Sequence, residues 1–469
     1  MIASIQGRRS LVLYVFGGVF AVTGVVAGTL AAAASTRDLA VLCSVALAYL
    51  ALFIWRPAVA LLLYIALRPL VDAFVFQDFH GFTLGELWGF GMVVSAAVFL
   101  VLESADRQHP LRLPAIPIAF LLVFLVLTIT RPGIMTAVSG WTKVASWILV
   151  MLVAERISRD RRGQLLCWWA GLGMGAALVV SVGVMIMQNR YGAAFYGDPM
   201  RDVSGQLPHP LAIGAVLLMP FALIGVQLAG SRRILSLAIA AGLMGAVILS
   251  YVRTAMIGGV IMLLSLLAVT VKSKGKARAA GGAIAVCVIL AGYLARDRIL
   301  ARFADLTLLS SSGAAQGGAG SGRLNLWRTT FQAAFDGAQH AIVGRGAGGS
   351  EQVMEKALGI FVGAQNDLFD FLLDGGLVLA ISYVVLLLWM GWNPVHTLRD
   401  PEQSSNVKSF AILTLGAVVA FFAMSMLNGI ATYQPSVAIG LLIGLARGVM
   451  ATPADTFLDT GTTTSGPAG

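Results

Sequence analysis

Long apolar runs follow one another along most of this chain and are separated by short polar breaks. Each run is about 17 to 25 residues long, the length that a helix needs to cross a hydrocarbon core of ~30 Å. The break at Trp55-Arg56-Pro57 leaves open whether two helices or one long helix precede residue 71. The pattern predicts helices over residues 11–34, 38–54, 56–71, 84–103, 114–130, 137–155, 165–187, 209–229, 233–250, 254–271, 280–295, 367–392, 408–426 and 434–449. The predicted fold is an all-α, polytopic integral membrane protein with about 12–14 transmembrane helices and one large loop.

The composition supports a lipid environment. The chain has 469 residues, of which 58% are hydrophobic and only 12% charged, whereas soluble proteins carry about 25% charged residues. Its three cysteines, Cys43, Cys167 and Cys287, lie inside apolar runs and lack the spacing of metal ligands. We expect them to pack as small hydrophobic side chains, and we expect no metal and no other cofactor.

The basic residues indicate how the chain is oriented. More than half of the 32 lysines and arginines fall in connections that share one side of the membrane when the N-terminus is placed in the cytoplasm. Basic residues favour the cytoplasmic side, and long loops are discounted because they cross regardless of charge. Both termini are therefore predicted to be cytoplasmic. Topology also accounts for the net charge of +10, so nucleic acid is not an expected partner.

One connection is too long to be a simple link between two helices. Residues 310–321 of this loop are rich in glycine and serine and are expected to be mobile, whereas residues 324–338 have helical apolar spacing around Trp327. The predicted organisation is an N-terminal helix bundle (1–295), the large outer loop (296–366), C-terminal transmembrane helices (367–450) and a disordered cytoplasmic tail (451–469).

Several arginines are predicted on the outer side, where the charge bias disfavours them. Arg253 is the sharpest case, because its tight turn between two apolar runs places the guanidinium at the membrane interface, where a charge needs a cavity or a partner. The planar guanidinium makes paired hydrogen bonds to phosphate, so such residues could hold a lipid-linked diphosphate. The alternative is that each one extends to the interface or pairs with Asp198, Asp202 or Asp305. The outer arginines are Arg190, Arg201, Arg253, Arg323, Arg328 and Arg345.

Four sequence elements follow in order between Arg201 and Leu377. The first two are Arg201 with Gly205 and His209-Pro210 entering a helix, and Arg253 at a helix start with Ser250 before it. The third is Arg323 with Trp327 and the later run Gly344-Arg345-Gly346. The fourth is Gln365-Asn366, followed by Asp374 and Gly376.

In these elements the chain resembles the O-antigen ligase and O-antigen polymerase superfamily, which are polytopic glycosyltransferases of the bacterial inner membrane. Many ligases of that family carry a histidine where this chain has Gln365, and glutamine accepts no proton at neutral pH. The resemblance therefore favours a polymerase of O-antigen or exopolysaccharide repeat units, acting on the periplasmic face where the large loop lies. A ligase that transfers glycan to a lipid or protein acceptor remains the alternative.

The resemblance implies partners and roles for the site. The partners are a polyprenyl-diphosphate-linked glycan donor, a glycan or lipid acceptor, membrane lipid and other polysaccharide export components. Arg201 and Arg253 are expected to act in catalysis with His209, because they emerge directly from helices. Gln365 and Asn366 are expected to bind substrate together with Arg190, Arg323, Arg328 and Arg345. For a general base, His209, His340, Asp367 and Asp370 all remain open.

Two function classes compete with a glycosyltransferase. A membrane transporter fits the many helices and the positive charge, but transporters place broken helices and ionisable residues near the midplane, often in two similar halves. Here the polar residues concentrate at the outer side and in one asymmetric loop. A non-catalytic partner for polysaccharide export remains the third possibility.

Overall fold

A computed structural model describes the chain from residue 47 onward, in segments. These are residues 47–72, 78–79, 82–104, 113–129, 134–187, 208–227, 231–250, 252–272, 323–358, 363–431 and 435–451, with single positions or pairs between 278 and 296 and at 458. The helices are α1 (Pro57–Ala66), α2 (Arg68–Asp72), α3 (Leu84–Ser104), α4 (Ala115–Ile129), α5 (Ile134–Ile157), α6 (Arg161–Met187), α7 (Pro208–Gln227), α8 (Ser231–Ser250), α9 (Arg253–Lys272), α10 (Arg323–Ala334), α11 (Ala338–Val343), α12 (Gly349–Leu358), α13 (Asp367–Arg399), α14 (Ser405–Asn428) and α15 (Ser436–Ala451). A two-residue strand pair, β1 (Asp78–Phe79) with β2 (Phe82–Thr83), precedes α3.

The all-α membrane fold is confirmed. Within the described residues, six helices are long and apolar enough to cross a membrane, and five shorter apolar helices accompany them. The predicted helix over residues 11–34 and most of the one over 280–295 lie outside the described residues. The break before Pro57 is confirmed, since Arg56 is non-helical and Pro57, which lacks an N–H, starts α1.

Close helix contacts fix the relative directions of the helices. A methyl group added at Gly440 or Gly444 of α15 would meet the carbonyl oxygens of Trp147 and Met151, so α5 and α15 run parallel. In the same way α9 and α14 run antiparallel, since Gly258 faces Met424 and Gly416 faces Ser265. Together with the hydrogen bonds between α13 and the end of α14, these contacts bring the starts of α5, α9, α13 and α15 to one end of the bundle. Because α10, α11 and α12 lie at this end, we call it the loop face.

The opposite end of the bundle carries ion pairs between helices. Arg156 at the end of α5 binds Glu103 of α3 at 2.8 Å. Arg447 of α15 binds Glu155 of α5 at 2.7 Å and lies 4.4 Å from the ring centre of Trp389. These basic residues are among those assigned to the cytoplasmic side by their distribution along the sequence.

The long connection between α9 and α13 is partly folded, and α10 lies where the sequence predicted helical spacing. Helices α10, α11 and α12 pack on the first turns of α13 around a small core of their own, formed by Leu326, Ala334, Met354, Leu372 and Leu373. Trp327 belongs to this packing, because its indole N–H donates to the carbonyl of Ala364 and its ring meets that of Phe369 edge-on. We call α10, α11 and α12 the loop unit, and this packing joins the loop unit to the membrane bundle through α13.

Candidate functional site

Helix α13 is interrupted where it meets the loop unit. Gly376 has φ 66° and ψ −164°, which is open to glycine but costly for other residues. Hydrogen bonds across the interruption occupy the carbonyls that it frees: the amide of Arg345 donates to Leu373 at 2.6 Å and that of Gly346 to Asp374 at 2.8 Å. The Gly344-Arg345-Gly346 run therefore continues the backbone hydrogen bonding of α13. The helix has 33 residues, and those after Gly376 suffice to cross a core of ~30 Å at 1.5 Å per residue.

Asp370, in the first turns of α13, binds the segment that leads into Gln365 and Asn366. Its carboxylate accepts hydrogen bonds from the hydroxyl of Ser350, in the first turn of α12, and from the amide of Ala364 at 2.7 Å. The amide of Ala364 also reaches the Ser350 hydroxyl oxygen at 2.9 Å. The segment before α13 is thereby tied to α12, and this fixes the position of Gln365.

Asn366 and Asp367 anchor the start of α13 to the end of α14. The side-chain oxygen of Asn366 caps α13 by accepting hydrogen bonds from the backbone amides of Leu368 and Phe369. The side-chain nitrogen of Asn366, Nδ2, donates to the carbonyl of Met426 at 2.9 Å. The buried carboxylate of Asp367 accepts from the amides of Ile430 at 2.9 Å and Ala431 at 2.8 Å. Most of its acceptor capacity is therefore used within the protein.

Replacing Asp367 with alanine is expected to lower stability. The amides of Ile430 and Ala431 would remain buried without their acceptor, which costs about 1–3 kcal/mol for each group. Thermal unfolding of the detergent-purified protein measures this loss. Glu402→Ala, at an exposed residue beyond the other end of α13, is the control and should stay within about 0.5 kcal/mol of the parent. Equal unfolding temperatures for the two variants would contradict the anchoring role.

Gln365 holds a backbone conformation that is rare for its residue type. Its φ is 54°, and in the described part of the chain it alone among residues other than glycine has a positive φ. The left-handed region costs a non-glycine residue about 1–2 kcal/mol and persists where the surroundings enforce it, often at functional sites. Here Ala364 on one side is bound by Ser350 and Asp370, and Asn366 on the other side is bound to α14. The structure thus holds Gln365 in a defined orientation.

Arg253 begins α9, as predicted, after the tight turn that ends α8 at Ser250. The buried hydroxyl of Ser250 accepts from the amide of Val252 at 3.1 Å and so shapes this turn. Because Gly258 faces Met424 in the antiparallel pair of α9 and α14, Arg253 lies level with Asn428 and Gly429. A methyl group at Gly429 would be 3.0 Å from the Asp370 carboxylate. Arg253 and the Gln365-Asn366 element are therefore at the same level of the loop face.

Arg345 ties the interruption in α13 to α10. Its guanidinium donates to the carbonyl of Ala333 at 3.0 Å and forms an ion pair with Asp336. Asp336 also binds Nδ1 of His340 at 2.6 Å, and this bond and the Arg345 charge hold the pKa of the Asp336 carboxyl below its usual range. Asp336 thus orients the imidazole of His340. The negative charge of Asp336 also offsets the positive charge that Arg345 could offer to a ligand.

The other predicted site residues are placed less completely. Arg190 and Arg201 lie outside the described residues. His209 is in the first turn of α7, as predicted, and Arg323 is the first residue of α10. Arg328 is exposed on α10. The structure therefore places Arg253 at the same level of the loop face as Gln365 and Asn366. Arg345 lies at the interruption in α13, where its amide donates to the carbonyl of Leu373.

Two parts of this arrangement were missed in the sequence. The Ser350–Asp370 contact joins residues 20 positions apart in a segment with no strong pattern. The interruption of α13 falls inside an apolar run that was predicted as one helix, although Gly375-Gly376 within it was the available signal.

A comparison with protein families bears on the same region. Residues 235–384 match the family model described as O-antigen ligase, a segment that runs from α8 to beyond the interruption in α13. It includes Arg253, Arg345 and the Gln365-Asn366 element, whereas Arg190, Arg201 and His209 precede it. No curated protein matches the chain. The matched segment covers 150 of the 469 residues and supports the resemblance of the chain to the O-antigen ligase and O-antigen polymerase superfamily, and the apolar helices together with this match indicate a multi-pass inner-membrane protein.

Proposed function

We propose that the protein is a glycosyltransferase that polymerises polyprenyl-diphosphate-linked repeat units of O-antigen or exopolysaccharide on the periplasmic face. The observation that carries the proposal is the position of Arg253. This arginine belongs to the segment that matches the O-antigen ligase family, and it lies level with Gly429. Gly429 in turn lies against the carboxylate of Asp370, which fixes the segment that carries Gln365 and Asn366. The loop face is then the periplasmic face, consistent with the basic residues at the opposite end.

In the proposed reaction, Arg253 stabilises the charge that develops on the leaving diphosphate. A hydroxyl of the acceptor glycan attacks C1 of the donor sugar while the bond from C1 to the diphosphate oxygen breaks, and its electron pair passes to the diphosphate. The hydroxyl proton passes to solvent or to a basic side chain such as His340. Arg253 suits this role because its guanidinium stands at the start of α9, where the helix dipole also favours an anion. No metal is assigned a role.

The interruption in α13 bears on the rival transport function. Broken helices of transporters offer backbone carbonyls to the transported ion. Here the carbonyls of Leu373 and Asp374 are bound by the amides of Arg345 and Gly346. Because these carbonyls already accept hydrogen bonds, the interruption in α13 is better explained as a structural junction than as a site that coordinates an ion.

Purified protein in proteoliposomes with a synthetic polyprenyl-diphosphate repeat unit tests the proposal. A ladder of glycan products rising by one repeat unit is the expected result. Transfer to a different lipid acceptor without growth of the chain would replace the polymerase with a ligase. Movement of the substrate across the bilayer without a new glycosidic bond would replace the enzyme with a transporter.

Replacing Gln365 with glycine distinguishes a role of its side chain in activity from a role in stability. Glycine adopts a positive φ without strain, so the free energy of unfolding should stay level or rise by up to about 1 kcal/mol. Polymer formation should fall by about tenfold or more, because loss of a substrate hydrogen bond costs about 1–2 kcal/mol. Thermal unfolding and product ladders measure the two effects. Normal polymer from the glycine variant would show that the glutamine side chain is not used.

A further inference from the structure

Helix α10 is apolar on two sides. Leu326, Thr330 and Ala334 are buried on the side that faces α13. On another side Phe331 and Phe335, the residue directly after α10, are 57% and 45% exposed, and their ring centres lie 4.8 Å apart. A helix that presents its outer side to water carries polar residues there. The two exposed rings therefore need an apolar environment, and the described segments of the chain do not supply one.

The exposed apolar surface of the loop unit continues the lipid-facing surface of α13. Ile342 at the end of α11 is 54% exposed, and its carbonyl lies against the interruption, 2.3 Å from where a methyl group on Gly376 would be. The next residues of α13, Leu377, Val378 and Ile381, are also exposed. Since the part of α13 beyond Gly376 spans the membrane, these side chains face acyl chains. Exposed apolar side chains therefore lie on both sides of the contact between Ile342 and Gly376.

An exposed arginine completes the pattern on α10. Arg328 precedes Phe331 by three residues and Phe335 by seven, so the three side chains follow one stripe of the helix. Aromatic rings beside an arginine are typical of helices at the membrane–water boundary, where the rings enter the acyl region and the guanidinium binds lipid phosphate.

We propose that α10 and α11 dock on the bilayer through a lipid-binding patch formed by Arg328, Phe331, Phe335 and Ile342. Continuity with α13 favours membrane lipid over a second copy of the chain or another protein as the occupant. The contact would hold the Gly344-Arg345-Gly346 junction at the membrane surface. It stands apart from the proposed reaction, since it rests on the exposed stripe and not on the site residues.

Depth-dependent fluorescence quenching tests the docking. Single cysteines replace Phe331, Phe335 or Gln332 in the full chain with Cys43→Ala, Cys167→Ala and Cys287→Ala, and each is labelled with an environment-sensitive dye. The protein is placed in vesicles of phosphatidylethanolamine and phosphatidylglycerol. A quencher on the upper acyl chain should act several-fold more strongly at positions 331 and 335 than at 332, and iodide in the water should show the reverse order. Gln332 is the control because it is exposed on the same helix at the margin of the stripe, about 100° from Phe331 and about 60° from Phe335.

Other results would overturn the proposal. Equal access of iodide to positions 331 and 332 would leave the patch in water, and protection from both quenchers would assign it to a protein partner. A photoreactive phenylalanine analogue at position 331 of the chain with its natural cysteines provides a second measurement. Adducts with phospholipid are expected there, whereas adducts with protein would exclude the bilayer as the occupant.

Discussion

Arg253→Ala is expected to abolish detectable polymer while the protein remains in the membrane at its normal level. Its guanidinium lies at the start of α9, level with the Gly429 turn, where the proposed diphosphate would meet both a positive charge and a helix dipole. Loss of one such well-placed donor lowers turnover about 10²–10³-fold, or roughly 3–4 kcal/mol of transition-state stabilisation. Glycan ladders from membranes, together with immunoblots of the protein, measure the two quantities.

Two further variants make the result specific. Arg253→Lys keeps the charge but loses the planar fork, so it should recover only part of the activity. Arg399→Ala removes an exposed charge at the opposite end of the bundle and should leave polymer formation at the parental level. Normal polymer from Arg253→Ala would mean that this arginine only extends to the interface or pairs with another group, as the alternative interpretation holds.

The membrane helices could be predicted from the sequence because lipid imposes one simple rule. Every spanning segment must satisfy its backbone hydrogen bonds internally and be apolar over a fixed length. The helix over Arg253–Lys272 was predicted as 254–271, and the one over Ser231–Ser250 as 233–250. Prediction also succeeded at Pro57, where the missing N–H forces a helix to start.

The arrangement of the site was harder to predict, because it depends on contacts between distant segments. Apolar periodicity gives no information on which loop residue would bond to the carbonyls of Leu373 and Asp374. The aromatic spacing of α10 predicted a helix, yet it did not reveal that Phe331 and Phe335 would point away from the core. The residue type at Gln365 did not indicate a positive φ, because contacts of the adjacent residues with α12 and α14 impose this conformation.

Two glycines, Gly344 and Gly376, lie in a tight contact between the loop unit and α13, and this contact leads to the largest expected effect on stability. A methyl group on Gly344 would lie 2.5 Å from the backbone of Asp374, Gly375 and Gly376, none of which has a flexible side-chain end that could yield there. The φ of 68° at Gly344 adds a penalty of about 1–2 kcal/mol for any other residue. We expect Gly344→Ala to cost several kcal/mol in all, since overpacking alone costs about 1–3 kcal/mol.

The expected result of Gly344→Ala is separation of α10, α11 and α12 from α13, because the amides of Arg345 and Gly346 could no longer reach Leu373 and Asp374. Limited proteolysis should then cut between α10 and α12, and polymer formation should stop since the Gln365-Asn366 element loses its support from Ser350. Gly245→Ala in α8 is the matched control: nothing lies within 4 Å of the added methyl group, and removing a glycine inside a helix should stabilise the protein by about 0.5–1 kcal/mol. If both variants resist the protease equally, the two glycines do not form the junction between loop and bundle, and the position of the candidate site would have to be explained without it.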